Sequence, residues 1–431
     1  MTTLSTYPSR VEPPPVAVAG RRPISSSPPP ASAAGLRALS RAGEASFDRT
    51  VLFLVGALMT LGVVMVYSAS GSVQAAAFDL RRWWETPLRQ GVFAMAGFLA
   101  MALAAHADPR WLSWERSRGL APWGLFLVAL ALLAAVLIPG IGAERLGAQR
   151  TILVFRGGFS LGFQPAEIAK VVMVIWLAAL LGRPGAELGS FWRGYLPAFG
   201  SALLLIGLTG IEDYGTAALM GLTAMAMLLL AGARGSHLIG TGLLGLAAGV
   251  GLLLLKPHRL QRLHVFLSPA DPSSEGYQVM QSLIAIGSGG WWGRGLGAGV
   301  QKYGYLPQDN NDFIFAILCE ELGVVGGLAV IALFLLLLWR GWRLWSRAAD
   351  SFCRLLGAGI TLTLCLQAAM NIAVVTNSVP TKGISLPFVS AGGSGVLFLG
   401  LAAGLLSAVR RDATAGLPAR RYGYEAAWRH T

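Results

Sequence analysis

Ten stretches of about twenty apolar residues constrain this chain more than any other feature. They fall at roughly 51–70, 88–106, 119–138, 165–182, 196–212, 216–233, 237–255, 312–339, 355–375 and 392–409. A helix rises about 1.5 Å per residue, so about twenty apolar residues span a hydrocarbon core about 30 Å thick. Of the 431 residues, 54% are hydrophobic and 13% charged. A soluble protein of this length needs more polar surface. The expected fold is an all-α integral membrane protein with about ten transmembrane helices.

The first run ends in "VYSASGS", which looks like a signal-peptide cleavage site. It begins about fifty residues in and is about twenty residues long, which fits a retained span better. An even number of spans puts both termini on one side. With the termini cytoplasmic, 21 of the 34 Lys and Arg residues lie on that side and 12 on the other, Lys170 being inside a helix. Long loops weigh little in this rule, and five of the outer 12 come from one long loop. The net charge of +13 is therefore mostly a topology signal. It does not point to nucleic acid.

Three regions follow. Residues 1–48, rich in Pro, Ser, Ala and Arg, read as a disordered cytoplasmic tail. Residues 49–410 form the ten-helix membrane domain. Residues 411–431 form a second cytoplasmic tail. The largest loop, 256–311, lies between helices 7 and 8 and faces outward, on the extracytoplasmic, periplasmic side. Loops this long are usually functional or disordered. Its apolar stretch and paired tryptophans predict short amphipathic helices at the outer interface.

The stretch "YLPQDNNDFIFAILCEELG" places four acids beside one apolar helix. Asp312 begins that helix at the outer face. It is either a cap for free N–H groups or a general base at the edge of a cavity. Glu320 and Glu321 lie two turns further in, where acids normally pair with something; a structural role against neighbouring backbone is expected. In "QPAEIAK", Glu167 and Lys170 are three apart, share a helical face and can pair. Arg259 and Arg262 in "HRLQRLHVF" share a face if helical. They suit either phosphate oxygens or interfacial snorkelling. "NSVPTKGISLPFVSAGGSG" has two prolines and four glycines, which forbid a regular helix. Irregular backbone at membrane depth must be satisfied by protein or water, so this stretch is expected to line a cavity. Lys382, Ser390 and Ser394 are its polar groups. The three cysteines and five histidines show no metal-ligand spacing.

Several long stretches, in order, resemble one family. They are "VMVYSAS", "GAQRTILVFRGGFSLGFQPAEIAK", "EDYGTAAL", "RLQRLHVFLSPADPSSEGYQVMQSLIAIGSGGWWGRGLG", the Asp312 stretch continued to "GVVGG", and "NIAVVTNSVPTKGISLPFVSAGGSG". The chain resembles the SEDS family (shape, elongation, division and sporulation) of bacterial cell-wall polymerases, over residues 51 to about 410. "PTKG", "SLIAIGSGGWWG" and the N-terminal tail are closer to the division branch, FtsW, than to the elongation branch, RodA. The resemblance implies a peptidoglycan glycosyltransferase in the bacterial inner membrane, at the division septum. Its substrate would be lipid II, a disaccharide-pentapeptide on undecaprenyl diphosphate. The family's essential acid falls on Asp312, and its fourth-helix acid and lysine fall on Glu167 and Lys170. Arg259, Arg262, Lys170 and Lys382 are candidates for the leaving diphosphate. A divalent cation bridging carboxylate and diphosphate is compatible with this chemistry, but the sequence shows no closed metal site. Implied partners are a class B penicillin-binding protein, which is a transpeptidase, and other division proteins. Two rival functions are a lipid II flippase and a non-catalytic scaffold for a transpeptidase.

The sequence departs from the family at several points. Gln308, Asp309, Asn310 and Asn311 stand where the family has Glu, a variable residue, His and a small hydroxyl residue. Ile211-Glu212-Asp213 stands for Gln-Pro-Asp, and Ala391 for Tyr. The lost Glu and His weaken any tuning of Asp312 by its usual neighbours, and make Asp309 a second candidate acid.

Overall fold

A computed structural model of the chain describes residues 47–73, 85–139, 142–145, 148–153, 162–254, 265–266, 274–303 and 311–414. These residues fall in one compact unit that begins at Glu44. In chain order the long helices are α1 Arg49–Val73, α2 Glu85–His106, α3 Leu120–Val136, α4 Pro165–Leu181, α5 Leu196–Glu212 and α6 Tyr214–Leu230. Then come α7 Gly235–Leu254, α8 Ser274–Gly289, α9 Ile314–Trp345, α10 Ser351–Val375 and α11 Ser394–Ala408. Each of the ten apolar runs has its helix. The eleventh, α8, lies in the long loop and packs on α9 and α10. Among the described residues, six helical segments are long and apolar enough to cross a membrane, and α3, α6 and α7 contain shorter apolar helices.

The centre of the bundle is α4. Pro165 begins it, where a missing N–H costs nothing, and every residue of α4 except Ile168 is buried. A helix that is apolar almost all round belongs in a core. Around it pack α3, α5, α6, α10 and α11. α11 also lies very close to α2. A Cβ added at Gly400 would come within 2.5 Å of Gly97 O, and one at Gly404 within 2.3 Å of Met101 O. Small residues allow this approach of backbones, as lipid-embedded helices require.

Contacts between helix termini mark two ends of the bundle. At one end, the Asp48 N–H donates to Ser407 O at 3.2 Å. The Asp48 carboxylate accepts from Arg340 Nε at 3.1 Å, and Arg410 Nη1 stands 3.7 Å away. The start of α1 and the end of α11 therefore meet, as an even number of crossings demands. Composition assigns Asp48 to the tail, yet it is fully buried, so the packed region begins before α1. At the other end meet the starts of α4, α6, α9 and α11 and the end of α10, around one cavity.

A small sheet adds to the helical plan. β1 Gly142–Arg145, β2 Ala148–Leu153 and β3 Gly162–Phe163 are antiparallel, with Ile152 opposite both Gly142 and Phe163. The strands are short and lie outside the apolar runs, so hydropathy gives no sign of them. They carry Arg150 to the cavity end of the bundle.

The acids of α9 form a clasp. The helix breaks at Gly323, whose φ of 72° and ψ of −175° are not helical. The glycine-rich loop after α8 fills the hydrogen bonds that the break frees. Arg294 N–H donates to Glu320 O and Gly295 N–H to Glu321 O, both at 3.0 Å, and Val324 N–H donates to Gly290 O at 2.9 Å. The side chains extend the clasp. Glu320 Oε1 accepts from Val300 N–H at 2.8 Å. Glu321 accepts from Lys302 Nζ at 2.9 Å, Ser68 Oγ at 2.7 Å and Gly297 N–H at 3.1 Å. Both glutamates are fully buried. They hold structure together, as their depth in an apolar helix leads one to expect.

Candidate active site

The cavity at the α4, α9 and α11 start end has a volume of about 510 Å³. That is within the range of ligand pockets, about 300–1,000 Å³. Its described walls bring together four cations, Arg89, Arg150, Lys170 and Lys382, and three acids, Glu167, Asp213 and Asp312. Such a concentration of charge at the end of an apolar bundle is costly unless the groups pair or serve a ligand.

Asp312 lies in the turn that enters α9 and is half-buried. It does not cap the helix: the N-cap is Phe313, without a side-chain cap bond, and the first turn holds no acid. Asp312 instead faces the segment that follows α10. A Cβ built on Gly383 would lie 2.9 Å from Asp312 Oδ2. The Gly383→Ala chain is therefore expected to fold, since the short carboxylate can shift aside, but with that carboxylate displaced from its present place; a structure of the variant is the check.

Glu167 and Lys170 are buried on α4, with Lys170 Nζ 3.0 Å from Glu167 Oε1. The i,i+3 pairing read from the sequence is present. Lys170 Nζ also donates to Gln367 Oε1 at 2.8 Å. Glu167 Oε2 is buried with no hydrogen-bond partner among the described residues.

The segment 376–393 contains no helix, as its prolines and glycines require, and its Thr381–Ser385 and Ala391–Gly393 parts, with Ser394 at the start of α11, line the cavity. Lys382 is on that wall, as is Ser394, whose Oγ accepts from Gln164 N–H at 3.1 Å. Ser390 has a different place. It is buried, accepts from Leu386 N–H at 2.8 Å and donates to Asn311 O at 2.7 Å. It is a brace behind the wall. Arg259 and Arg262, and the second candidate acid Asp309, lie outside the described residues.

Several wall residues were not singled out in the sequence. Arg150 Nε donates to Glu212 O at 3.0 Å, fixing the guanidinium at the end of α5. Asp213 caps α6, accepting from Thr216 N–H and Thr216 Oγ1, each at 3.0 Å. Arg89, Gln278, Gln164, Asn311 and Gln367 add to the polar lining. The available signal for Arg89 and Arg150 was position: Arg89 lies in the first turns of α2 and Arg150 in β2, both on the side that the positive-inside rule leaves poor in cations.

A comparison with family models decides the relationship. The model described as "Cell cycle protein", for FtsW, RodA and SpoVE, matches residues 49–415. The chain belongs to this family. Among curated FtsW/RodA/SpoVE proteins, it is 40% identical to "Stage V sporulation protein E" of Bacillus subtilis over 373 residues, covering 85% of this chain and 98% of that one. It is 42% identical to "Probable peptidoglycan glycosyltransferase FtsW" of Halorhodospira halophila over 372 residues, covering 84% and 90%. The fold of this FtsW/RodA/SpoVE chain is shared by a chain in a solved structure described as "Structural coordination of polymerization and crosslinking by a peptidoglycan synthase complex". The TM-score is 0.66 at 32% identity, with 85% and 98% of the chains covered. Thermus thermophilus RodA gives a TM-score of 0.57 at 29% identity, covering 85% and 97%. The family expected from the motifs is the family found.

Proposed function

We propose that the chain is a peptidoglycan glycosyltransferase that polymerises lipid II, with Asp312 as general base. The observation that carries this reading is Asp312 on the wall of a polar cavity that also holds Arg89, Arg150, Lys170 and Lys382. Hexosyl transfer with a diphosphate leaving group needs both features. A base must take the proton of the acceptor sugar hydroxyl, and cations must meet the charge that builds on the departing diphosphate. The Asp312 carboxylate takes that proton as the acceptor oxygen attacks the donor's anomeric carbon. The bond from that carbon to the diphosphate oxygen breaks, and undecaprenyl diphosphate leaves. One displacement inverts the anomeric centre. The apolar helices around the cavity would bury the polyprenyl tail. Relatives named peptidoglycan glycosyltransferase support the substrate class.

The same reading puts the protein in the inner membrane with both termini cytoplasmic and the cavity facing the periplasm. The excess of basic residues at the termini side supports that orientation. Septal action follows the division-branch motifs and the FtsW relatives. A class B penicillin-binding protein is the proposed partner, with other division proteins around the pair. A solved relative belongs to a complex described as joining polymerisation and crosslinking. For a divalent cation, Asp312 and Glu167 are the carboxylates on the wall whose oxygens could share it with a diphosphate. No cluster of three or more acids, histidines or cysteines that could hold a metal occurs among the described residues.

The test uses the purified full chain with its transpeptidase partner and lipid II in detergent. Glycan polymer that disappears on Asp312→Asn supports the enzyme. Intact lipid II flipping in vesicles without polymer would make the chain a transporter. Normal division by cells carrying Asp312→Asn would make it a scaffold.

A further inference from the structure

Two buried amides on α10 join the parts of the candidate site. Gln367 is 1% exposed and Asn371 is fully buried. Four residues apart, they lie on one helical face. Gln367 Oε1 accepts from Lys170 Nζ at 2.8 Å, and Gln367 Nε2 donates to Ser385 O at 2.9 Å. Asn371 Nδ2 donates to Ile384 O at 2.7 Å and to Asp312 O at 2.8 Å. The first amide links α4 to the wall segment. The second links that segment to the entry of α9.

We propose that Gln367 and Asn371 are positioning residues for glycosyl transfer, holding the Asp312 main chain, the Lys170 ammonium and the Lys382–Ser385 segment in one frame. This rests on Asp312 being the general base. The chemistry fixes the direction of each amide. Reversing Asn371 would turn its oxygen toward two carbonyl oxygens, which cannot donate. Reversing Gln367 would set its NH2 against the Lys170 ammonium. Asn371 Oδ1 is buried and has no hydrogen-bond partner among the described residues. A buried acceptor left alone is unfavourable, a cost that the two bonds from Nδ2 to main-chain carbonyls offset. The two N–H groups of Asn371 reach the two chain segments that bracket the Asp312 carboxylate: Asp312 itself, and Ile384 beside Gly383. Loss of either bond lets these segments move relative to each other, and a shift of about 1 Å in a catalytic group can cost about 100-fold.

The test is steady-state polymerisation of lipid II by the full chain with its transpeptidase partner, with thermal unfolding measured on the same samples. Asn371→Asp places a second oxygen where the two carbonyls need a donor. Gln367→Glu keeps an acceptor for Lys170 but loses the donor to Ser385 O. The expected result is a fall in kcat per folded molecule of roughly 100-fold for Asn371→Asp and roughly tenfold for Gln367→Glu, with KM changed by less than about threefold. In the Asp312→Asn background, Asn371→Asp should add little further loss, because both act through one base. A purely structural role would lower the unfolding midpoint and leave kcat per folded molecule near wild type, which overturns the inference. If Asn371→Asp does not fold, Gln367→Glu decides, together with the shorter donor Asn371→Ser. Polymerisation at the wild-type rate by Asp312→Asn would overturn the base assignment and this inference together. Loss on Asp312→Asn with full kcat in both amide variants would overturn this inference alone.

Discussion

The Asp312→Asn chain is expected to polymerise lipid II with a kcat lower by roughly 10²–10⁴-fold, the usual contribution of a positioned general base. Asn is nearly isosteric and keeps the hydrogen-bonding oxygen, so folding and KM should change little. Asp312→Glu should not restore the rate. Gly383 already lies close enough that its added Cβ would be 2.9 Å from Asp312 Oδ2, which leaves little room for another methylene. Turnover in purified protein with the transpeptidase partner is the measurement. A kcat for Asp312→Asn within threefold of wild type would remove Asp312 from the chemistry and would move attention to the wall acid Glu167.

The second large effect concerns stability. Glu321→Leu leaves Lys302 charged in a site where its side chain is 4% exposed. Breaking a buried ion pair from one side typically costs about 3–5 kcal/mol, a large share of a total stability of about 5–15 kcal/mol. Ser68 Oγ and Gly297 N–H lose their acceptor in the same change. The Glu321→Leu chain should therefore unfold at a clearly lower temperature in detergent. Adding Lys302→Met should recover much of the loss, since a well-packed apolar pair can replace a buried ion pair at little cost. An unchanged midpoint for Glu321→Leu would mean the Glu321–Lys302 pair contributes nothing to holding the loop after α8 against α9.

These two regions differ in how far the sequence reveals them. The ten helices are legible because lipid demands long apolar runs. The cavity wall at 376–393 is legible because Pro380, Pro387 and the glycines exclude a helix. Glu167 and Lys170 are legible because a spacing of three aligns them on one face. The break at Gly323 is not, since apolar residues flank it as Leu322-Gly323-Val324 and its compensating donors and acceptors come from residues 290–297. Gln367 and Asn371 are hidden for a similar reason. Each is a lone amide in an apolar helix, and the Gln367 partner Lys170 is 197 residues away in sequence.

The departures from the family pattern also acquire a physical sense. Asn311 stands where the family has a small hydroxyl residue, and its backbone carbonyl is what Ser390 Oγ contacts. Glu212 stands where the family has Pro, and its carbonyl is what Arg150 Nε contacts. A contact made by the main chain survives a change of side chain.

The most direct measurement is a structure of the full Asp312→Asn chain with its transpeptidase partner and bound lipid II. The diphosphate should lie in the cavity among Arg150, Lys170 and Lys382, with a sugar hydroxyl within hydrogen-bond reach of the residue at 312. Lipid II seated at the Asp48–Arg340 end, or along a path through the bundle with no contact to residue 312, would contradict the account.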